Sequence, residues 1–158
     1  MRADWTPGRG ARSWAPFVLL GLGVLLGAGR ASSADWPMWG GDPTRNMVND
    51  DEVGIPDRWD LETGENVRWT ADLGSQTYGN VVVAGGKVFV GTNNQSPRNP
   101  SITGDKGILM CFRESDGRFL WQAVHDKLVS GSANEWPEVG IFSTPVVEGS
   151  LLYYVSNR

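Results

Sequence analysis

Apolar residues in this chain fall into short runs of strand length rather than into a helical stripe. From residue 35 onward, positions three and four apart seldom repeat in character, and β-branched and aromatic runs of four to eight residues are cut by Gly, Asn and Asp. Val81-Val82-Val83-Ala84, Gly85-Gly86 and Lys87-Val88-Phe89-Val90-Gly91 read as strand, tight turn, strand. Two adjacent glycines suit a two-residue hairpin because both positions can take positive φ. Residues 107–112, the turn Glu114-Ser115-Asp116-Gly117 and residues 118–123 predict a second hairpin. Residues 144–147, Glu148-Gly149 and residues 151–155 predict a third. Leu61-Glu62-Thr63-Gly64 reads as a turn ahead of a strand over 66–71. The polar stretches 93–105 and 126–139 are predicted loops. Trp36-Pro37-Met38-Trp39-Gly40-Gly41-Asp42-Pro43 is too rich in Gly and Pro for a regular element.

The runs repeat. Shifting residues 80–94 by 64 places Val82 on Val146, Val83 on Val147, Gly85 on Gly149 and Asn93 on Asn157. Val88, Phe89 and Thr92 meet Leu152, Tyr153 and Ser156. Thr63-Gly64 precedes Trp69 as Asp116-Gly117 precedes Trp121, here at a shift of 52, and the 126–139 loop absorbs the difference. Units of four short strands repeating every ~40–65 residues are the mark of propeller blades, which must stack because one blade cannot bury both of its faces. The expected fold is therefore all-β, a β-propeller of four-stranded antiparallel blades. About one full blade and part of the next are present, with Trp69, Trp121, Gly85, Gly117 and Gly149 as the structural repeat residues.

Composition changes this picture at the N-terminus. Arg2, Arg9 and Arg12 precede an uncharged apolar stretch over 15–28, and Ala31-Ser32-Ser33-Ala34 supplies small residues at the −3 and −1 positions. That pattern predicts a signal peptide over 1–34 with cleavage after Ala34. The apolar stretch is short for a ~20-residue membrane span, so no span is expected after cleavage, and the location is periplasmic or extracellular. No Cys follows the cleavage point for lipid attachment, and no Arg-Arg pair is present. The organisation read from sequence is a signal peptide over 1–34, a Trp/Gly/Pro-rich entry segment over 35–66, and partial propeller repeats over 67–158. Residues 1–34 hold four of the 14 Lys and Arg and one of the 18 Asp and Glu, which leaves the remainder near −7. A surface so acidic disfavours nucleic acid and anionic membranes as partners.

The run from Gly107 through Gly117 to Trp121 resembles the repeat of pyrroloquinoline-quinone-type (PQQ-like) propellers, G-x-L-x-A-L-D-x-x-T-G-x-x-x-W. Cys111 stands in the Ala place, Phe112 in the Leu place, Arg113 for the Asp and Asp116 for the Thr. Gly149 to Val155 resembles the family's G-x-x-V-Y-V strand. The openings Asp35-Trp36-Pro37-Met38-Trp39-Gly40-Gly41-Asp42 and Gly74-Ser75-Gln76-Thr77-Tyr78-Gly79-Asn80 are similar to exported members, so the resemblance covers most of residues 35–158. It implies a ring of about seven or eight blades, of which this sequence is expected to be an N-terminal piece. It also implies the option of a quinone dehydrogenase, in which a disulfide between adjacent cysteines lies against the cofactor and Glu, Asn and Asp hold Ca²⁺. The single Cys111 supplies no such pair. Pyrroloquinoline quinone and calcium would have to come from a site completed elsewhere, and no cofactor is evident in these residues.

Candidate chemistry is correspondingly thin. Asn93, Asn94, Asp105 and Glu138 are of metal-ligating type but sit where Asn and Asp stabilise turns, and no metal site is assigned to them. His125 is the only His, Cys111 lies in an apolar run, and Ser75, Ser130 and Ser143 lack a nucleophile-elbow context. No catalytic residue is assigned. Trp136, in the loop Glu135-Trp136-Pro137-Glu138, is the candidate ligand or partner surface, together with Asn93 and Asn94. The reading that follows is an exported binding or scaffold module with a protein or carbohydrate partner. The alternatives are the N-terminal part of a quinone-dependent alcohol or sugar dehydrogenase, and a loop-mediated carbohydrate binder.

Overall fold

The computed structural model describes residues 34–50, 52–127 and 136–156. The signal peptide predicted over 1–34 lies, but for its last residue, outside them. Among the described residues the fold is all-β, without helix, and no helix is long and apolar enough to cross a membrane. Six strands form two antiparallel sheets. β1 (Val82–Ala84), β2 (Lys87–Asn93), β3 (Lys106–Arg113) and β4 (Phe119–Asp126) make a four-stranded meander in the order β1-β2-β3-β4. β5 (Val146–Glu148) and β6 (Leu151–Tyr153) form a separate hairpin.

The turns are where the glycines lie. Gly85 and Gly86 both take positive φ, 57° and 71°, and join β1 to β2 in the register Ala84↔Lys87. Gly149 has the same φ as Gly85, and the pairing Glu148↔Leu151 makes Gly149-Ser150 the turn, one residue later than the expected Glu148-Gly149. Hence β5 and β6 repeat β1 and the start of β2 at the 64-residue shift.

β3 is the central element. Every residue from Gly107 to Phe112 is buried, and alternation sends Ile108, Met110 and Phe112 to one face and Leu109 and Cys111 to the other. On the first face these residues pack with Val88 and Val90 of β2, and Trp69, Ala71, Leu73, Val83 and Phe119 cover them. On the second face Val82, Phe89 and Cys111 meet Val147 and Leu152 of the hairpin. Ile141, also fully buried, comes so close to β2 that a methyl group at Gly91 would lie 2.5 Å from its carbonyl oxygen.

Residues 66–71, expected as a strand, form no ladder. The alternation is still real, since Val67, Trp69, Ala71 and Leu73 are half-buried while Arg68, Thr70 and Asp72 are exposed. The segment uses its side chains to cover the first face and lends its backbone to no neighbouring strand. Trp69 anchors it. The indole Nε1 donates to the Glu114 carbonyl at 2.7 Å, and the ring lies 6.2 Å from Phe112. Gly117, in the β3–β4 turn at φ 69°, leaves room for it: a methyl group there would come within 2.5 Å of Trp69 Cδ2. Residues 36–37 tie the two sheets together. Trp36 exchanges two backbone hydrogen bonds with Val83 on the outer edge of β1, and the Pro37 carbonyl accepts from Val147 N–H on β5.

Gly117 and Gly149 make a controlled comparison, because both are left-handed but Gly149 has open space around it. Gly149→Ala should cost about 1 kcal/mol from backbone strain alone. Gly117→Ala should cost about 2 kcal/mol more, because it also pushes Trp69 from its seat. Trp69→Ala should cost about 3 kcal/mol. Urea unfolding of the three variants checks the order, and equal losses at the two glycines would remove the Trp69–turn contact as the cause.

Candidate functional site

The sequence candidates meet at one end of the four-stranded sheet, where β2 runs out through Thr92, Asn93 and Asn94. All three are buried. A polar side chain buried at a strand end must find partners or cost stability, and here the partners are the backbones of three loops. Thr92 Oγ1 accepts from Gly74 N–H at 3.0 Å and donates to the Gln76 carbonyl at 2.8 Å. Asn93 Oδ1 accepts from Ser75 N–H and Gln95 N–H, at 2.9 and 3.2 Å. Its Nδ2 donates to Ser75 Oγ and to the Glu138 carbonyl. Asn94 Nδ2 donates to the carbonyls of Ile102 and Gly104, at 2.8 and 3.3 Å. Gly74 permits the close approach, since a methyl group on it would lie 2.1 Å from Asn93 Oδ1. Asn93 and Asn94 therefore organise the loops from inside, and their amides do not face outward.

The neighbouring loop is held by charge. Asp105 Oδ2 accepts from Glu138 N–H at 2.7 Å and pairs with Lys127 Nζ at 2.9 Å. Lys127, whose side chain is largely buried, also donates to the Trp136 carbonyl at 2.7 Å. Glu138 takes φ 64°, a left-handed value uncommon for a residue with a side chain. The result is a fixed backbone from which Trp136 projects, 74% exposed. Of the three residues singled out as a partner surface, the structure brings all to one end of the sheet but leaves only Trp136 open to a ligand.

Asn93, Asn94, Asp105 and Glu138 were the residues of metal-ligating type, and the geometry does not fit a cation. Asp105 already faces the Lys127 ammonium, both Asn amides turn donor nitrogens toward carbonyls, and Asn93 Oδ1 is engaged by two N–H groups. Among the described residues no three of His, Cys, Asp and Glu gather in a way that would hold a metal ion.

The other reactive side chains lie away from this end or are closed off. Cys111 is fully buried on the second face, and burial raises its thiol pKa, which disfavours the thiolate. His125 is half-buried at the C-terminal part of β4. Its Nε2 lies 2.7 Å from Tyr154 Oη, joining the four-stranded sheet to the chain after β6, and burial raises the Tyr154 phenol. Ser143 Oγ donates to the Val155 carbonyl and accepts from Val155 N–H, so it ties off the end of the same segment. Asp116 is held below the usual carboxylate range, chiefly by its hydrogen bonds from Arg113 and then from Arg118 N–H. Both Asp116 and Arg113 serve the β3–β4 turn.

Lys127 and Thr92 are the site residues that sequence reasoning passed over. Thr92 entered the sequence reading only as a repeat position and Lys127 in no motif, and the roles of both come from loops that are distant in sequence. Compared with known proteins, the chain matches no family model, no curated protein and no solved structure.

Asn93→Ala takes this partner from the Ser75 and Gln95 N–H groups and the Glu138 carbonyl and should cost about 3 kcal/mol. Trp136→Ala removes an exposed side chain and should change stability by less than about 0.5 kcal/mol. Thermal and urea unfolding compare the two, and a large loss at Trp136 would mean that the indole is packed rather than displayed.

Proposed function

We propose that this chain is part of a tryptophan-marked, PQQ-like β-propeller and acts as an exported binding or scaffold module, with its loop end as the partner surface. The observation that carries the reading is the relation between the two sheets. A complete four-stranded meander is followed, at a shift of 64, by a hairpin that repeats its first turn and covers one of its faces. Asn80 N–H donates to Thr144 Oγ1, so positions 64 apart also touch at the junction. Leu151 and Tyr153 of β6 and Val155 just beyond it alternate as exposed residues and offer an apolar row of the kind that a further blade would cover. The Trp69 contact with the Gly117 turn gives the repeated Trp its role, that of locking an outer segment onto the following unit.

A loop-mediated carbohydrate binder is the second reading, favoured by Trp136. Its indole is exposed while its backbone is fixed by Lys127, so a stacking ligand would meet a surface that is already ordered.

Three measurements test these readings. Cryo-electron microscopy of the complete gene product should show a ring of four-stranded blades, and a closed sandwich of the two sheets would end the propeller reading. Glycan and peptide arrays should give binding that Trp136→Ala removes. Dye reduction with alcohols or glucose after addition of the quinone and Ca²⁺ should be absent, and robust reduction would replace the binding module with a dehydrogenase.

A further inference from the structure

The two outer edges of the four-stranded sheet are treated differently. β1 is closed by Trp36, which fills both of Val83's backbone hydrogen bonds. β4 has no strand on its outer side among the described residues. Open edges are usually blunted by Lys, Pro, a bulge or extreme shortness. β4 runs for eight residues without Lys or Pro, and its one irregularity lies opposite Cys111 and Phe112, near its start. Leu120, Trp121 and Val124 along it are exposed.

Beside this edge, on the first face, lies a cleft of about 340 Å³ lined by Arg98, Asn99, Ile102, Phe119, Gln122 and Val124. Three of its walls are apolar. Gln122 Oε1 is the one buried side-chain polar atom without a hydrogen-bond partner among the described residues. Arg98 lies over the rings of Phe112 and Phe119, at 5.2 and 4.8 Å, and donates to the Asp72 carbonyl. Among the described residues it forms no salt bridge, so this cation keeps donors for an anionic group.

We propose that residues 120–125 of β4 and the adjoining cleft form a docking site for an extended peptide, added as a fifth strand, that turns apolar side chains and one carboxylate toward Ile102, Val124 and Arg98. The chemistry selects this occupant. Only another extended backbone offers N–H and C=O groups in the spacing that a strand edge requires. The apolar walls take its alternate side chains, and Arg98 takes an acidic one. The site does not depend on the propeller, because among the described residues β4 is an edge whether or not a ring forms around it.

The test uses the full chain and a labelled peptide of alternating Val and Thr with one central Glu, read by fluorescence anisotropy. The expected result is saturable binding, at least about fivefold weaker when Lys replaces the Glu. Binding should be abolished when alternate peptide amides are N-methylated on the edge-facing side. Arg98→Glu should invert the preference between the Glu and Lys peptides, and Val124→Lys should abolish binding of both while leaving the melting temperature within the error of the parent. N-methylation without effect would overturn strand addition. Equal affinity for the Glu and Lys peptides would overturn the role of Arg98. Concentration-dependent dimerisation lost in Val124→Lys, with no peptide bound, would assign the edge to a second copy of this chain and overturn a peptide as its occupant.

Discussion

The fold depends on a strand that is buried on both faces. β3 sends Ile108, Met110 and Phe112 one way and Leu109 and Cys111 the other, and none of the five retains appreciable contact with solvent. Burying an apolar side chain of this size contributes roughly 1.5–3 kcal/mol, but only if something covers each face. A four-stranded meander cannot cover itself. The chain meets the requirement with two unlike covers: an extended segment carrying Trp69, Ala71 and Leu73 on one side, and the β5–β6 hairpin carrying Val147 and Leu152 on the other. Residues 36–37 then bond to β1 and to β5 at once, so the second cover is tied by backbone hydrogen bonds as well as by packing.

The tryptophans show how such covers are keyed. Trp69 has a hydrogen-bonded nitrogen, an aromatic neighbour and a glycine turn beneath it. Trp121, its counterpart in the repeat, lies 6.0 Å from Phe89 but remains partly open to solvent. The two side chains hold like places in the sequence repeat but not in the fold, since Trp69 lies in a segment without a strand partner and Trp121 lies within β4.

What the sequence disclosed, and what it withheld, follows from the range of the interactions involved. Gly85-Gly86 was legible because the requirement for positive φ is local. β3 was legible because a continuous apolar run between turns has few other solutions. Residues 66–71 were misread because period-two alternation reports which side chains are covered and says nothing about whether the backbone has a strand partner. The His125 contact with Tyr154 gave no signal for a similar reason, since Tyr154 lies 29 residues on and no local pattern announces it. Asn93 and Asn94 were recognised as polar groups in a special place, but residue type alone cannot separate an amide that faces a ligand from one that holds three loops. Lys127 gave no signal at all, because its partners, Asp105 and Trp136, become neighbours only after folding.

This distinction bears on what the loop end can do. Ordering a loop on binding consumes part of the interaction energy, so a pre-ordered surface binds more tightly for the same contacts. Here the ordering is built into the folded chain: Thr92, Asn93 and Asn94 fix the loops from below, and Lys127 fixes the carbonyl of Trp136. If the loop end binds a partner as proposed, a buried Asn that makes no contact with it would still govern affinity, through the entropy of the loops it holds. The β4 edge works by a different economy. Its hydrogen-bonding groups are ordered by the sheet itself, so a strand that docks there need order only its own backbone. As proposed binding surfaces the two would favour different partners: the displayed indole a rigid ligand with a face to stack, and the open edge an extended peptide.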